Sequence, residues 1–175
     1  MQALEFWKTV TVDHANLLES LIGLLREHQV KYCVIGGQAV NAYAEPLVSL
    51  DLDLVIAISD FDRTRSLLAT HFSVEQFPQS INISSPDSSL RVQIQTDPRY
   101  LDFPERATDR DVLGLALPVA SLDDLLQGKI WAAGDPERRP TKRQKDLLDI
   151  ARLIEKYPRL RGQVPVELLK RISLS

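Results

Sequence analysis

Residues 33–56 read CVIGGQAVNAYAEPLVSLDLDLVI. Tyr32 to Ile35 has the short apolar run of a buried strand, and Gly36 and Gly37 then turn the chain tightly. Gln38 to Ala44 has helix-forming composition before Pro46 forbids simple continuation. A second strand, Leu52 to Ile58, is entered through Asp51 and Asp53. Strand alternation puts these two carboxylates on one face, roughly 7 Å apart along the backbone, while Leu52, Leu54 and Ile56 point into the core. Two like charges so placed invite a cation. Oxygen-only ligands suit a hard ion such as Mg²⁺, which keeps waters and substrate phosphates as its other ligands. The pair therefore predicts a phosphate-bearing substrate, and the glycines leave backbone N–H groups open to the same phosphates. Either half alone has a plainer reading: Asp-x-Asp is common on the wet face of a strand, and Gly-Gly is often just a turn.

Working outward, Asp13 caps a helix whose apolar positions Leu17, Leu18, Leu21, Ile22, Leu24 and Leu25 recur at helical spacing to about His28. Asp60 caps another through about Ala69. Ile81–Ile83 and Leu90–Ile94 alternate as strands with one wet face. Residues 96–111 read as irregular, anchored by Tyr100 and Phe103, and Val112–Val119 as an edge strand ended by Pro118. Ser121 with Asp124 forms a capping box opening a helix through about Ala133 that contains Lys129. Thr141 with Gln144 repeats that pattern for a helix to about Lys156, stopping before Pro158, and Pro165 begins a last helix through Ile172. The reading is an α+β fold, a small mixed sheet flanked by helices, with a helical last third. It predicts one domain over residues 1–175, its core at about 30–120 and its helical part at about 121–175.

The balance of 44% apolar and 26% charged residues over 175 positions is that of an ordinary globular chain and excludes a disordered one. One cysteine, Cys33, cannot form an intrachain disulfide, and His14, His28 and His71 show no zinc-ligand spacing. No leader pattern and no run of roughly 20 apolar residues appears, so the expectation is a cytoplasmic protein that uses no membrane. Net charge is -3, yet Lys129 to Arg171 holds 12 Lys/Arg against 6 Asp/Glu. The densest run, Arg138, Arg139, Lys142, Arg143 and Lys145, suits either phosphate attraction or a solvated helix entrance. There is no G-x-G-x-x-G, and Gly128-Lys129 lacks the remaining residues of a P-loop.

IGGQAV (35–40), followed by DLDLVI (51–56) with thirteen residues from Gln38 to Leu50 between the glycines and the Asp pair, resembles the signature of the nucleotidyltransferase (polymerase-beta-like) superfamily. QGKIWA (127–132) and KRQKDLLDIARL (142–153) resemble the Lys and Asp motifs of its minimal, AbiEii-type toxin-like branch. The likeness spans about residues 30–157. It implies a nucleoside triphosphate bound with Gly36, Gly37 and Lys129 at its phosphates. It also implies Mg²⁺, or Mn²⁺ in its place, on Asp51 and Asp53, and Asp146 opposite as a partner or proton acceptor. A nucleoside monophosphate would pass to a hydroxyl of a nucleic acid, protein or small molecule. A toxin role, with an antitoxin-like partner, follows from the branch alone.

The helix gives separate support for Asp146, which at about 100° per residue falls between Leu153 and Ile150, inside an arc continued by Ile154 and Leu147. A carboxylate there needs a partner, with Lys129 one candidate and Lys142 the other. Asp149, at the arc's edge, suits a surface pair with Lys145 or Arg152. Lys129 itself also reads as an exposed lysine on an amphipathic helix. The chain departs from the family pattern where many relatives carry a third carboxylate: Gln93 and Gln95 stand there, with Asp97 just beyond. Leu47 and Ser49 replace a frequent Arg and Thr, Arg91 is either compensating charge or surface, and Cys33 is core. These departures open a second reading, a catalytically reduced module of this fold that binds RNA or a partner protein through its basic segment.

Overall fold

The computed structural model describes residues 3–11, 13 and 16–172; His14 lies outside them. Among the described residues the chain runs α1 (Ala3–Thr11), α2 (Leu17–Glu27), β1 (Tyr32–Ile35), α3 (Gly36–Tyr43), β2 (Asp51–Ile56) and α4 (Phe61–His71). Then come β3 (Ser73–Phe77), β4 (Ser80–Ser84), β5 (Arg91–Gln95), β6 (Thr108–Val112), β7 (Leu115–Val119), α5 (Leu122–Gly134), α6 (Pro140–Lys156) and α7 (Val166–Ile172). The strands form one sheet in the order β3-β4-β5-β2-β1-β7-β6. It is mixed: β1 runs antiparallel to β2, whereas β2 is parallel to β5 and β1 to β7. This is the α+β architecture the sequence predicts, with helices closing the C-terminal end.

Alternation along β2 divides the interior. Leu52, Leu54 and Ile56 enter the main core with α2, α3 and α6, while Val55 joins Cys33, Ile35, Tyr100, Phe103 and Ala120 in a smaller core on the opposite face. Asp51 and Asp53 share that second face. They stand where its apolar cover gives out. Among the described residues no helix is long and apolar enough to cross a membrane.

Several local expectations need correction. Asp13 does bind the start of α2, its carboxylate accepting from Leu17 N and Leu18 N, but from four residues upstream, across Asn16 in left-handed geometry. Asp60 does not cap α4: its carboxylate takes the Lys31 N–H at 2.9 Å and Arg63 at 2.7 Å. Thr141 is no cap either, because the helix begins a residue earlier with Pro140, whose fixed φ suits the first turn. Ser121 caps α5 as expected, accepting from Asp124 N. β7 is not an edge strand, since β6, expected as irregular chain, pairs outside it. Pro118 is tolerated inside β7 because alternation aims its nitrogen, like that of Ala120, at β1. There the pairing is reduced to the single register pair Val34↔Val119. Helix α1 and strand β3 carried no sequence expectation.

Candidate active site

Strand β1 ends at the glycines and α3 begins on them. Gly36 holds φ +71°, and a Cβ there would lie 2.1 Å from Asp53 Oδ2. Both the backbone angle and the space require glycine. At Gly37 the need is space alone, since a Cβ would meet Ser49 Oγ at 2.8 Å. The loop entering β2 is held from both sides: the Ser49 carbonyl accepts from Trp7 Nε1 at 2.6 Å and from Gln38 Nε2 at 2.8 Å. Asn41 brackets Leu47 through its N–H and its carbonyl. Trp7 is a support the sequence reading missed, because nothing local links it to a loop 42 residues away.

Asp51 and Asp53 open into a cleft of about 290 Å³ whose walls also include Gly37, Gln93, Lys129, Arg138, Arg139, Lys142 and Lys145. Asp51 lies 3.1 Å from Arg91 Nε and 3.7 Å from Lys142 Nζ. Asp53 makes no ion pair within 4 Å among the described residues. Burial raises its pKa; Lys129 works against that rise, and Asp51 adds to it. Gln93 stands opposite Asp53 in the β2–β5 register, at the place of the expected third carboxylate. Asp97 cannot substitute, because its carboxylate is taken by Arg99 at 2.7 Å.

The Lys129 side chain is only 11% exposed, and its Nζ lies 3.2 Å from Asp146 Oδ1 and 2.9 Å from Asp149 Oδ2. Burial opposes its charge, but Asp149 and Asp146 outweigh that and hold the ammonium above its usual pKa. Asp146 is also gripped by Arg138, through Nε at 2.6 Å and Nη2 at 3.3 Å. Lys142 thus reaches Asp51 and not Asp146. Asp149 is no surface residue: only 2% exposed, it bridges Lys129 and Arg152, whose Nη1 lies 2.9 Å away. Arg152 continues to Asn41 Oδ1 at 2.7 Å and the Glu45 carbonyl at 2.6 Å, which ties α6 to the loop before β2.

The structure therefore brings Gly37, Asp51, Asp53, Lys129 and Asp146 around one cleft, with Gly36 packed against Asp53. It adds Arg138, Lys142 and Lys145, which the sequence shows only as a basic run. Among the described residues no group of three or more His, Cys, Asp and Glu converges as a metal cluster. Two carboxylates beside the Gln93 amide still make an all-oxygen donor set that Mg²⁺ accepts when phosphates and waters complete it. Asp53, half-buried and without an ion pair within 4 Å among the described residues, is the charge such an ion would neutralise.

No protein-family model and no curated protein matches the sequence. Similarity comes from solved structures. ANT(2")-Ia in complex with adenylyl-2"-tobramycin superposes with a TM-score of 0.58 at 14% identity, over 90% of this chain and 97% of that one. The lincosamide antibiotic adenylyltransferase LnuA, lincomycin-bound, gives 0.53 at 14% identity, over 82% and 97%. An antigenic nucleotidyltransferase-like protein from Paracoccidioides brasiliensis gives 0.51 at 21% identity, over 95% and 85%. With the glycine bend, the Asp-x-Asp strand and the sheet order in place, this chain shares its fold with these adenylyltransferase and nucleotidyltransferase-like structures.

Proposed function

We propose that the chain is a Mg²⁺-dependent nucleotidyltransferase that moves a nucleoside monophosphate from a nucleoside triphosphate to a hydroxyl acceptor. The observation that carries this is the shared cleft: Asp51 and Asp53 face the same space as the glycine bend and five cationic side chains. The adenylylated tobramycin and the adenylyltransferase named among the similar structures are in keeping with it. The acceptor oxygen would attack the α-phosphorus as the bond to pyrophosphate breaks, and the hydroxyl proton would pass to solvent water in the open cleft. A bound Mg²⁺ on Asp51 and Asp53 would supply charge neutralisation at the phosphates. Lys142 and Lys145 would hold the outer phosphates, and Lys129 would offset charge on the departing pyrophosphate. Asp146, with both oxygens engaged by Lys129 and Arg138, serves better to position those cations than to accept a proton.

Transfer of labelled nucleotide to RNA, protein and small-molecule acceptors tests the reaction. Titration of nucleoside triphosphates with Mg²⁺ tests the site. Affinity unchanged in an Asp51→Asn, Asp53→Asn chain would defeat the metal bridge. Gln93 opposite Asp53 favours a second reading, a module that retains the fold to bind RNA or a partner protein. It predicts salt-dependent binding that survives those substitutions, with no transfer. The toxin role implied by the AbiEii-type motifs predicts growth arrest on expression, relieved by a neighbouring gene product.

A further inference from the structure

A second chamber, of about 110 Å³, opens from the same site between the sheet and α5. Asp53, Gln93, Lys129, Arg138 and Asp146 line both spaces, so a single ligand can cross from one to the other. Their other walls differ in kind. The first continues into Arg139, Lys142 and Lys145; the second continues into Ile35, Tyr100, Phe103, Leu125 and Ala132, with Gln95 beside them.

The apolar walls are firmly built. Tyr100 and Phe103 are buried, pack at 5.1 Å between ring centroids, and are backed by Trp131. The Tyr100 hydroxyl is spent on the Gly128 carbonyl at 3.1 Å, which leaves the chamber its ring and no polar group. Gly128 lets α5 come this close, since a Cβ there would lie 2.9 Å from Tyr100 Cε1. Gln95 supplies the polar feature. Its Oε1 accepts the Asp97 N–H at 3.0 Å, which fixes the amide and identifies its nitrogen. No acceptor among the described residues takes the Nε2 hydrogens.

We infer that this chamber receives the nucleobase of the nucleotide whose phosphates occupy the cationic cleft. A flat, weakly polar ring bearing hydrogen-bond acceptors fits aromatic walls and one fixed amide donor, and a polyanionic tail fits the lysines and arginines. The α-phosphate then falls at the shared boundary beside Asp53. The inference rests on the nucleotidyltransferase reading and adds that the base, not the acceptor, is held under α5.

Ribose 5-triphosphate, which lacks a base, separates the two claims. In titrations with Mg²⁺, at least one of the four nucleoside triphosphates is expected to bind tenfold or more tightly than ribose 5-triphosphate. Ala132→Phe, which fills the chamber from half-exposed helix, should bring that nucleotide down to the ribose 5-triphosphate level, and Gln95→Leu should lose a large part of the difference. Gln95→Leu carries the test if Ala132→Phe does not fold, as judged by circular dichroism. Equal affinity for ribose 5-triphosphate and all four nucleotides would overturn the base site while leaving the phosphate cleft standing. Full discrimination retained by the substituted chains would overturn it too. Failure of every triphosphate to bind would overturn this inference together with the reading beneath it.

Discussion

Asp53 Oδ2 occupies the space in which a side chain on Gly36 would begin, 2.1 Å from where its Cβ would stand. The bend and the carboxylate are thus one packed unit. Gly36→Ala must shift Asp53 and also hold a left-handed backbone, which for an L-residue costs about 1–2 kcal/mol. Loss of about 2 kcal/mol in urea unfolding is expected, with Mg²⁺–nucleotide affinity falling at least tenfold in calorimetry. Wild-type affinity in this variant would show that the bend does not position Asp53.

Burial raises the Asp53 pKa, and the sign of its effect on stability follows. Between the ordinary carboxylate range and that raised value, the folded chain holds a proton that the unfolded chain has lost. Stability therefore falls as pH rises through this window. Asp53→Asn is expected to raise the melting temperature at neutral pH, to flatten that pH dependence, and to abolish transfer. Calorimetry of Mg²⁺–nucleotide binding at mildly acidic pH, in two buffers of different ionisation heat, should show proton release that Asp53→Asn removes.

Lys129 holds two buried carboxylates, and Lys129→Met would leave Asp146 with Arg138 and Asp149 with Arg152. Breaking a buried pair costs about 3–5 kcal/mol, and the surviving arginines place the expected loss at about 3. For a chain of this size that lowers the melting temperature by about 6–12 °C. A loss under about 1 kcal/mol would show that the arginines alone satisfy both carboxylates.

Gln93→Glu tests the missing third carboxylate. It adds like charge beside Asp53, so the melting temperature without divalent cations should fall, and the increment on adding Mg²⁺ should exceed that of the unaltered chain. A general base contributes about 10²- to 10⁴-fold, so transfer of labelled nucleotide should rise tenfold or more. A Mg²⁺ increment no larger than that of the unaltered chain would place residue 93 outside the ion's reach.

The central parts of this site were legible along the chain because they depend on the repeat of a single element. A period of two put Asp51 and Asp53 on one face, and a period of 3.6 put Asp146 on an apolar arc that required a cation. Ser121 capped its helix through a contact three residues away. The same local reasoning failed at Asp60 and Thr141, where a carboxylate found a partner on another segment and a proline started the helix first. It also misplaced Asp149, whose position at the edge of the arc did not show that α5 would cover it.

What the sequence determined by itself was the direction in which each side chain leaves its own helix or strand, since that follows from backbone periodicity. Which groups then meet was decided only by the tertiary structure. Lys129 lies between two aspartates of another helix, Trp7 supports the loop before Asp51, and Tyr100 and Gln95 wall a chamber under α5. These contacts join residues far apart in the chain. They arise from the burial of apolar faces against one another, which no local repeat encodes.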